Sequence, residues 1–210
     1  MHPSRLYHQD DEAALAALVA QRGLALIIGV ADGRPLIAHA PVLLDGRRLR
    51  FHLGRGNALS AALQAPGARA LAVVAGPDAY VSPDWYDLDD QVPTWNYLSV
   101  EVEGPVTPVD DAAVTTLLDD LSAHFEATLA PKPVWTRHKM SPGRFEAMLE
   151  KIVAFEMSVE RFEGIWKLSQ NKSAEVAANA ASALEDRPDQ GSRDIAAFMR
   201  QLPRDQAATR

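Results

Sequence analysis

Cysteine is absent from this 210-residue chain, which excludes disulfides, thiolate metal sites and a cysteine nucleophile, and fits a cytoplasmic protein. No hydrophobic run approaches the roughly 18 apolar residues that a membrane span needs, and the opening residues show no basic-then-apolar leader pattern. A cytoplasmic location without membrane association is therefore expected. Basic residues are outnumbered, 21 against 28 acidic ones, for a formal net charge of −7. With no basic stripe to neutralise phosphates, direct binding to DNA is not expected. No metal-binding spacing of histidines and acids occurs, and no Gly-x-Ser-x-Gly elbow marks a hydrolase. Neither a metal nor a catalytic residue is assigned. No internal repeat is present.

What remains is an ordinary globular composition, 47% hydrophobic and 23% charged, enough for one medium domain with a helical appendage. Asp10–Gln21 has helical spacing and is stopped by Gly23. Strand-like runs follow at Leu24–Val30, Leu36–Leu44 and Arg48–Leu53, with turn signals at Ala31-Asp32-Gly33 and Asp45-Gly46. A short helix over Ala58–Gln64 leads to strands at Arg69–Ala75, Ala79–Ser82 and Thr94–Val106. Several strands joined by short turns before any long helix point to an antiparallel sheet or barrel. Asp110–Leu129 reads as the strongest helix, with Val114, Leu117, Leu118, Leu121 and Phe125 on one face behind an acidic start. A second helix runs from Pro142 to about Lys151. Ile152–Trp166 reads as one strand, with a bulge near Glu160–Arg161 that would shift Phe162 out of phase. The tail is helical from Asn171 to Leu184 and again over Arg193–Leu202, with a loop at 185–192. The residues Arg204–Arg210 read as frayed.

Aromatic residues make up only 7% of the chain, yet residues 76–97 hold two of the four tryptophans and three of the four tyrosines. Within Gly76–Tyr86 and Val92–Tyr97, the rings of Trp85 and Trp95 alternate with Ser82, Thr94 and Asn96. Such clusters most often pack a core, but flat apolar walls with a few aimed polar groups also suit a planar polar ligand such as a flavin or nucleobase. Along Thr94–Val106 the alternation puts Asn96, Leu98, Val100 and Val102 on one face and Trp95, Tyr97 and Ser99 on the other. Gly54-Arg55-Gly56-Asn57 sets a guanidinium and bare backbone at a strand-to-helix turn, a weak anion-binding signal by itself. Lys167, Ser169, Gln170 and Asn171 place donors and acceptors just past a strand end. A polar strand exit with Asn171 capping the next helix would look the same.

The wording of these segments is more specific than their composition. "GPDAYVSPDWY" followed by "VPTWNYLSVEVEG" resembles the PaiB-type family of FMN-binding negative transcriptional regulators. "HAPVLLD" at 39–45, "FHLGRGNAL" at 51–59, "LSAHFE" at 121–126 and "KLSQNK" at 167–172 recur in the family's order. The resemblance covers about Met1 to Leu184. It implies an α+β fold, an antiparallel split β-barrel of the flavin-reductase type with flanking helices. The barrel domain would span 1–170, followed by a C-terminal helical extension at 171–210.

The resemblance further implies FMN as cofactor and a homodimer, since split barrels of this kind generally build the flavin site at the dimer interface. It puts Arg55 on the FMN phosphate, with Asn57 and His52 nearby. Ser82, Trp85, Thr94, Trp95, Asn96, Lys167, Gln170 and Asn171 complete the cofactor-binding set. A cation such as Lys167 beside the flavin N1/C2 carbonyl would stabilise an anionic reduced ring. Two features depart from the family pattern: the segment Asp87–Gln91 is short, acidic and lacks a lysine, and Glu101 stands where a histidine is expected. A regulator is the leading expectation. An FMN-dependent oxidoreductase using a nicotinamide or other small reductant is the alternative, as is a barrel that binds another planar ligand such as haem.

Overall fold

The computed structural model describes residues 2–202, so the tail expected to fray, Arg204–Arg210, lies outside them. The elements in chain order are β1 (His8–Gln9), α1 (Glu12–Arg22), β2 (Leu24–Ala31), β3 (Arg34–Asp45), β4 (Arg48–Gly54), α2 (Ala58–Leu63) and β5 (Arg69–Val81). After β6 (Thr94–Pro108) come α3 (Asp111–Ala127), α4 (Arg144–Leu149), β7 (Ile152–Ser158), β8 (Arg161–Lys167), α5 (Ala174–Glu185) and α6 (Gln190–Gln201). The eight strands form one antiparallel sheet in the order β1-β8-β6-β5-β2-β3-β4-β7, and β6 also pairs with β7. None of the described helices is long and apolar enough to cross a membrane.

The chain forms two compact units. Among the described residues, one draws on 2–15, Ala75–Val100 and 163–202, the other on Ala16–Val74 and Glu101–Phe162. The helices α5 and α6 thus share a unit with the end of β5 and the start of β6.

In the second unit the β6–β7 pairing, Val106 opposite Met157, closes six strands into a barrel. The β2–β3 hairpin turns at Asp32 and Gly33, whose φ values of 51° and 72° match a two-residue turn with both positions left-handed. The expected Asp45-Gly46 hairpin joins β3 to β4, with Asp45 opposite Arg48. Inward-facing residues fill the barrel. Phe51 and Phe155 stack with centroids 5.5 Å apart, and Leu49, Val42 and Met157 are fully buried around them. Each such side chain contributes about 1.5–3 kcal/mol through burial.

Asp110 caps α3, its carboxylate accepting from the Ala113 N–H at 2.9 Å. Val114, Leu117 and Leu121 of that helix bury against Ala154, with Leu118 and Phe125 at the margin. That is the face its spacing predicts.

Residues 152–166 are two strands, not one strand with a bulge. The reason lies in the backbone between them. The Val159 N–H donates to Arg47 O and the Glu160 N–H to Glu103 O, each at 2.9 Å. Two distant carbonyls therefore hold the junction out of any continuous ladder.

In the first unit β1 pairs with β8, His8 opposite Ile165. Helix α5 starts at Ala174, later than expected, because Ser173 rather than Asn171 is the cap, its hydroxyl accepting from Val176 N–H at 3.3 Å. Helix α6 starts at Gln190, earlier than expected, because Asp189 caps it through the Ser192 N–H at 2.8 Å. Ala177, Ala180 and Ala181 on α5 and Ile195, Ala196 and Met199 on α6 are buried.

Candidate functional site

The first unit contains a pocket of about 210 Å³. It is built from the end of the 3-10 turn Pro83–Tyr86, the start of β6 and the chain leaving β8. Ser82 caps the turn, accepting from the Asp84 N–H, and Asp87 closes it with φ at 50°. The result turns Tyr86 inward, leaving its side chain 2% exposed.

At the pocket's floor lies a buried polar network. Asn96 is fully buried because strand alternation puts it on the inward face of β6. Its Nδ2 donates to Ser169 Oγ at 3.0 Å and toward Met199 Sδ at 3.4 Å, and Ser169 Oγ also lies 2.8 Å from the Tyr86 hydroxyl. Ser169 has a left-handed backbone, φ 61°, which costs about 1–3 kcal/mol and is sustained by its surroundings. The network fixes that conformation and with it the segment running from Lys167 to Lys172.

Two ammonium groups face the pocket. Lys167 Nζ donates to Thr94 Oγ1 at 2.5 Å and to Trp95 O at 2.8 Å. Burial pulls its pKa below the ordinary lysine value. Lys172 Nζ donates to Gln91 Oε1 and sits 5.0 Å from the centroid of the Tyr86 ring, within cation–π range. Tyr7 supplies a second aromatic wall, and burial raises the pKa of its hydroxyl. Asn171 is exposed at the rim.

Thr94, Asn96, Lys167 and Asn171 therefore line one pocket, as do Tyr7, Tyr86, Ser169 and Lys172, which the sequence-based site set leaves out. Tyr86, Ser169 and Lys172 stand in the "SPDWY" and "KLSQNK" segments, so the signal lay there. Tyr7 carries none. The other expected residues of this unit lie elsewhere. Gln170 folds back on its own turn, accepting from Leu168 N–H at 2.7 Å and donating to Trp166 O. Ser82 serves as the turn cap, and Trp85 is half-buried beside it. Trp95 is 55% exposed and meets Tyr80 edge-on at 6.1 Å.

In the second unit Arg55 and Asn57 lie on the exposed β4–α2 turn. Arg55 Nε donates to Glu150 O at 2.9 Å and Nη2 to Ile152 O at 3.0 Å, while its own N–H reaches Lys151 O. Nη1 is left to point elsewhere. Asn57 caps α2 through Oδ1, accepting from Leu59 N–H at 2.9 Å. A Cβ on Gly54 or Gly56 would meet nothing within 4 Å, and neither glycine has a positive φ. Neither packing nor conformation requires glycine there, so the bare backbone remains accessible from outside. His52 lines a separate cavity of this unit, with Nδ1 buried and unpartnered. Glu101, the second departure from the family pattern, lies 3.4 Å from Arg161 Nη1.

The fold is shared with solved flavoproteins. The FAD and haem binding protein of Mycobacterium smegmatis superposes with a TM-score of 0.56 at 22% identity, covering 77% of this chain and 73% of that one. The flavocytochrome Anf3 of Azotobacter vinelandii gives 0.60 at 17% identity, covering 79% and 72%. At these identities the likeness speaks for the split-barrel fold alone. In sequence, the chain is 25% identical over 185 residues to the Bacillus subtilis protein "Protease synthase and sporulation protein PAI 2", covering 86% of this chain and 87% of that protein. The profile of the family described as "Putative FMN-binding domain" matches residues 1–161, so the chain belongs to this family and its cofactor is FMN.

Proposed function

We propose that this protein is an FMN-dependent redox protein of the cytoplasm, and that the first unit's pocket holds the polar pyrimidine edge of the flavin. The observation that carries this reading is two lysines, a threonine hydroxyl and an asparagine amide converging between tyrosine rings. At about 210 Å³ the pocket is smaller than the roughly 300–1,000 Å³ of a whole-ligand site, so it fits one end of FMN. Bound FMN would supply hydride and electron transfer, which needs no protein acid or base. The chain's own contribution is to orient that end and to stabilise negative charge on it. Lys167 is steered by Thr94 and Trp95 O, and Lys172 brings a cation to the acidic segment 87–91 that lacks a lysine of its own.

In the second unit, Arg55 on the β4–α2 turn is proposed separately as a phosphate-binding group, as the resemblance implies, through Nη1 and the exposed backbone at Gly54 and Gly56. The regulatory role that the PaiB-type resemblance suggests would then operate through the state of the flavin or through a partner protein. A net charge of −7 argues against direct contact with duplex DNA.

Lys167→Met is the test of the ring placement. Removing one charge-assisted bond, about 1.5–3 kcal/mol, should lower the two-electron midpoint potential of the bound flavin by about 30–60 mV. An unchanged potential at full FMN occupancy would show that Lys167 does not face the pyrimidine edge. The visible spectrum of the purified protein checks the cofactor first. A Soret band without flavin absorbance would overturn the reading in favour of haem.

We also propose a homodimer. Leu24, Val30 and Ile37 on the β2–β3 hairpin are more than half exposed, an apolar surface that a second copy would cover. A sedimentation mass near the 22.8 kDa monomer at micromolar concentration would contradict this.

A further inference from the structure

Residues 2–9 form a short strap at the start of the first unit. Its 3-10 turn, Arg5–Tyr7, is tied within the segment itself. The Tyr7 N–H donates to Ser4 O at 3.3 Å, the Ser4 N–H to His2 Nδ1 at 3.1 Å, and His8 Nε2 to His2 O at 2.8 Å. The His2 imidazole meets the Tyr7 ring edge-on at 4.6 Å. Strand β1 then anchors the strap to β8, with His8 opposite Ile165 and Gln9 opposite Gly164. Gly164 makes that seat possible, since a Cβ there would fall 2.2 Å from Leu15 Cδ2 and 3.4 Å from Gln9 Cβ.

This scaffold fixes one side chain against the pocket of the first unit. Tyr7 is 9% exposed and lines that pocket. The polar groups around it are already engaged: Asn96 and Tyr86 with Ser169, Lys167 with Thr94 and Trp95 O, and Lys172 with Gln91. Among the described residues, no hydrogen bond ends on the Tyr7 hydroxyl. Nor is it sealed, since the sealed side-chain atoms without a partner are Arg50 Nε, His52 Nδ1 and Ser60 Oγ. A free donor therefore reaches the open space of the pocket. Burial, and after it the nearby Tyr86, raise the pKa of this phenol, so it keeps its proton at physiological pH.

We propose that Tyr7 is a further flavin-binding residue, whose O–H donates to a carbonyl of the pyrimidine edge and favours the reduced, anionic ring over the oxidised one. The inference rests on the placement of that edge in this pocket. A hydrogen bond to a charged acceptor is about twice as strong as one to a neutral acceptor, which gives the preference for the reduced ring. Because the strap already holds the donor in place, little freedom is lost when the ligand arrives.

Tyr7→Phe removes the oxygen and keeps the ring, so the contact with His2 survives. It should weaken oxidised FMN and riboflavin alike, about three- to tenfold, because the phosphate takes no part. Reduced FMN should lose about five- to tenfold more than oxidised FMN, which lowers the two-electron midpoint potential by about 20–30 mV. Flavin fluorescence titrations give the affinities, and redox titration at full FMN occupancy gives the potential. The proposal is overturned if Tyr7→Phe leaves the potential unchanged, whatever its affinity, since Tyr7 would then be a wall only. It is also overturned if FMN is weakened and riboflavin is not. Lys167→Met separates the two possible failures. A shift with Lys167→Met and none with Tyr7→Phe removes Tyr7 alone, whereas no shift with either removes the pyrimidine edge from this pocket.

Discussion

Arg55→Ala should weaken FMN binding ten- to hundredfold and leave riboflavin, which has no phosphate, within about twofold. The guanidinium sits on an exposed turn, with Nε and Nη2 fixed to the carbonyls of Glu150 and Ile152. Those two bonds hold the side chain in one orientation before any ligand arrives, so little rotamer entropy remains to be lost on binding. The glycines on either side leave the surrounding space open. A charge-assisted bond from Nη1 to a phosphate is worth about 1.5–3 kcal/mol, which gives the stated range. Because the two carbonyl contacts are solvent-exposed, their loss should cost less than about 1 kcal/mol of stability. Arg55→Lys should recover only part of the affinity, since an ammonium cannot keep both carbonyls and reach a phosphate. Flavin fluorescence titrations with both ligands decide the matter. Equal weakening of FMN and riboflavin would assign Arg55 a purely structural role.

The largest effect on folding is expected at Gly104. A Cβ at this position of β6 would lie 1.8 Å from the Ser158 carbonyl oxygen and 2.9 Å from its carbon. Backbone cannot swing aside as the tip of a side chain can. The adjacent contacts are also fixed, with Glu160 N–H bonded to Glu103 O and Val106 opposite Met157. Gly104→Ala must therefore open the seam where β6 meets β7 and closes the barrel. A loss of roughly 3–5 kcal/mol is expected, a large part of the stability of a domain this size. Gly54→Ala is the matched control, because its Cβ would enter open space, and it should stay within about 1 kcal/mol. Chemical denaturation of the two variants makes the comparison. Similar midpoints for both would mean that the seam is more compliant than its geometry indicates.

Local signals made much of this fold readable. Helix α3 could be located because its cap and apolar spacing are written within a few turns of chain. Alternation along strand β6 puts Asn96 and Trp95 on opposite faces, and the fold then buries the Asn96 face and exposes Trp95. The break at residues 159–160 was not readable, since it depends on carbonyls of Arg47 and Glu103 that only the folded chain brings near. The cap of α5 is not decided by residue type, because Asn171 and Ser173 are both competent caps. In the fold it is Ser173 whose hydroxyl accepts from the Val176 N–H. For the pocket, Lys167 and Thr94 stood in recognisable segments. Tyr7 entered only through the folding of a terminal segment whose sequence gives no hint of a binding role. The unpartnered nitrogen of His52 is likewise a property of burial, which residue identity does not reveal.

The strand order also governs how copies of this chain can associate. Closure of β6 onto β7 joins the ends of the second unit's strand order. Strand β3, however, pairs with β4 only over Val42–Asp45, so among the described residues its positions 34–41 are laddered to β2 on one side alone. Unpaired backbone along a sheet edge is what invites strand addition. Crowded or partly heated samples should accordingly gain intermolecular β-structure first along this outer edge of the β2–β3 hairpin.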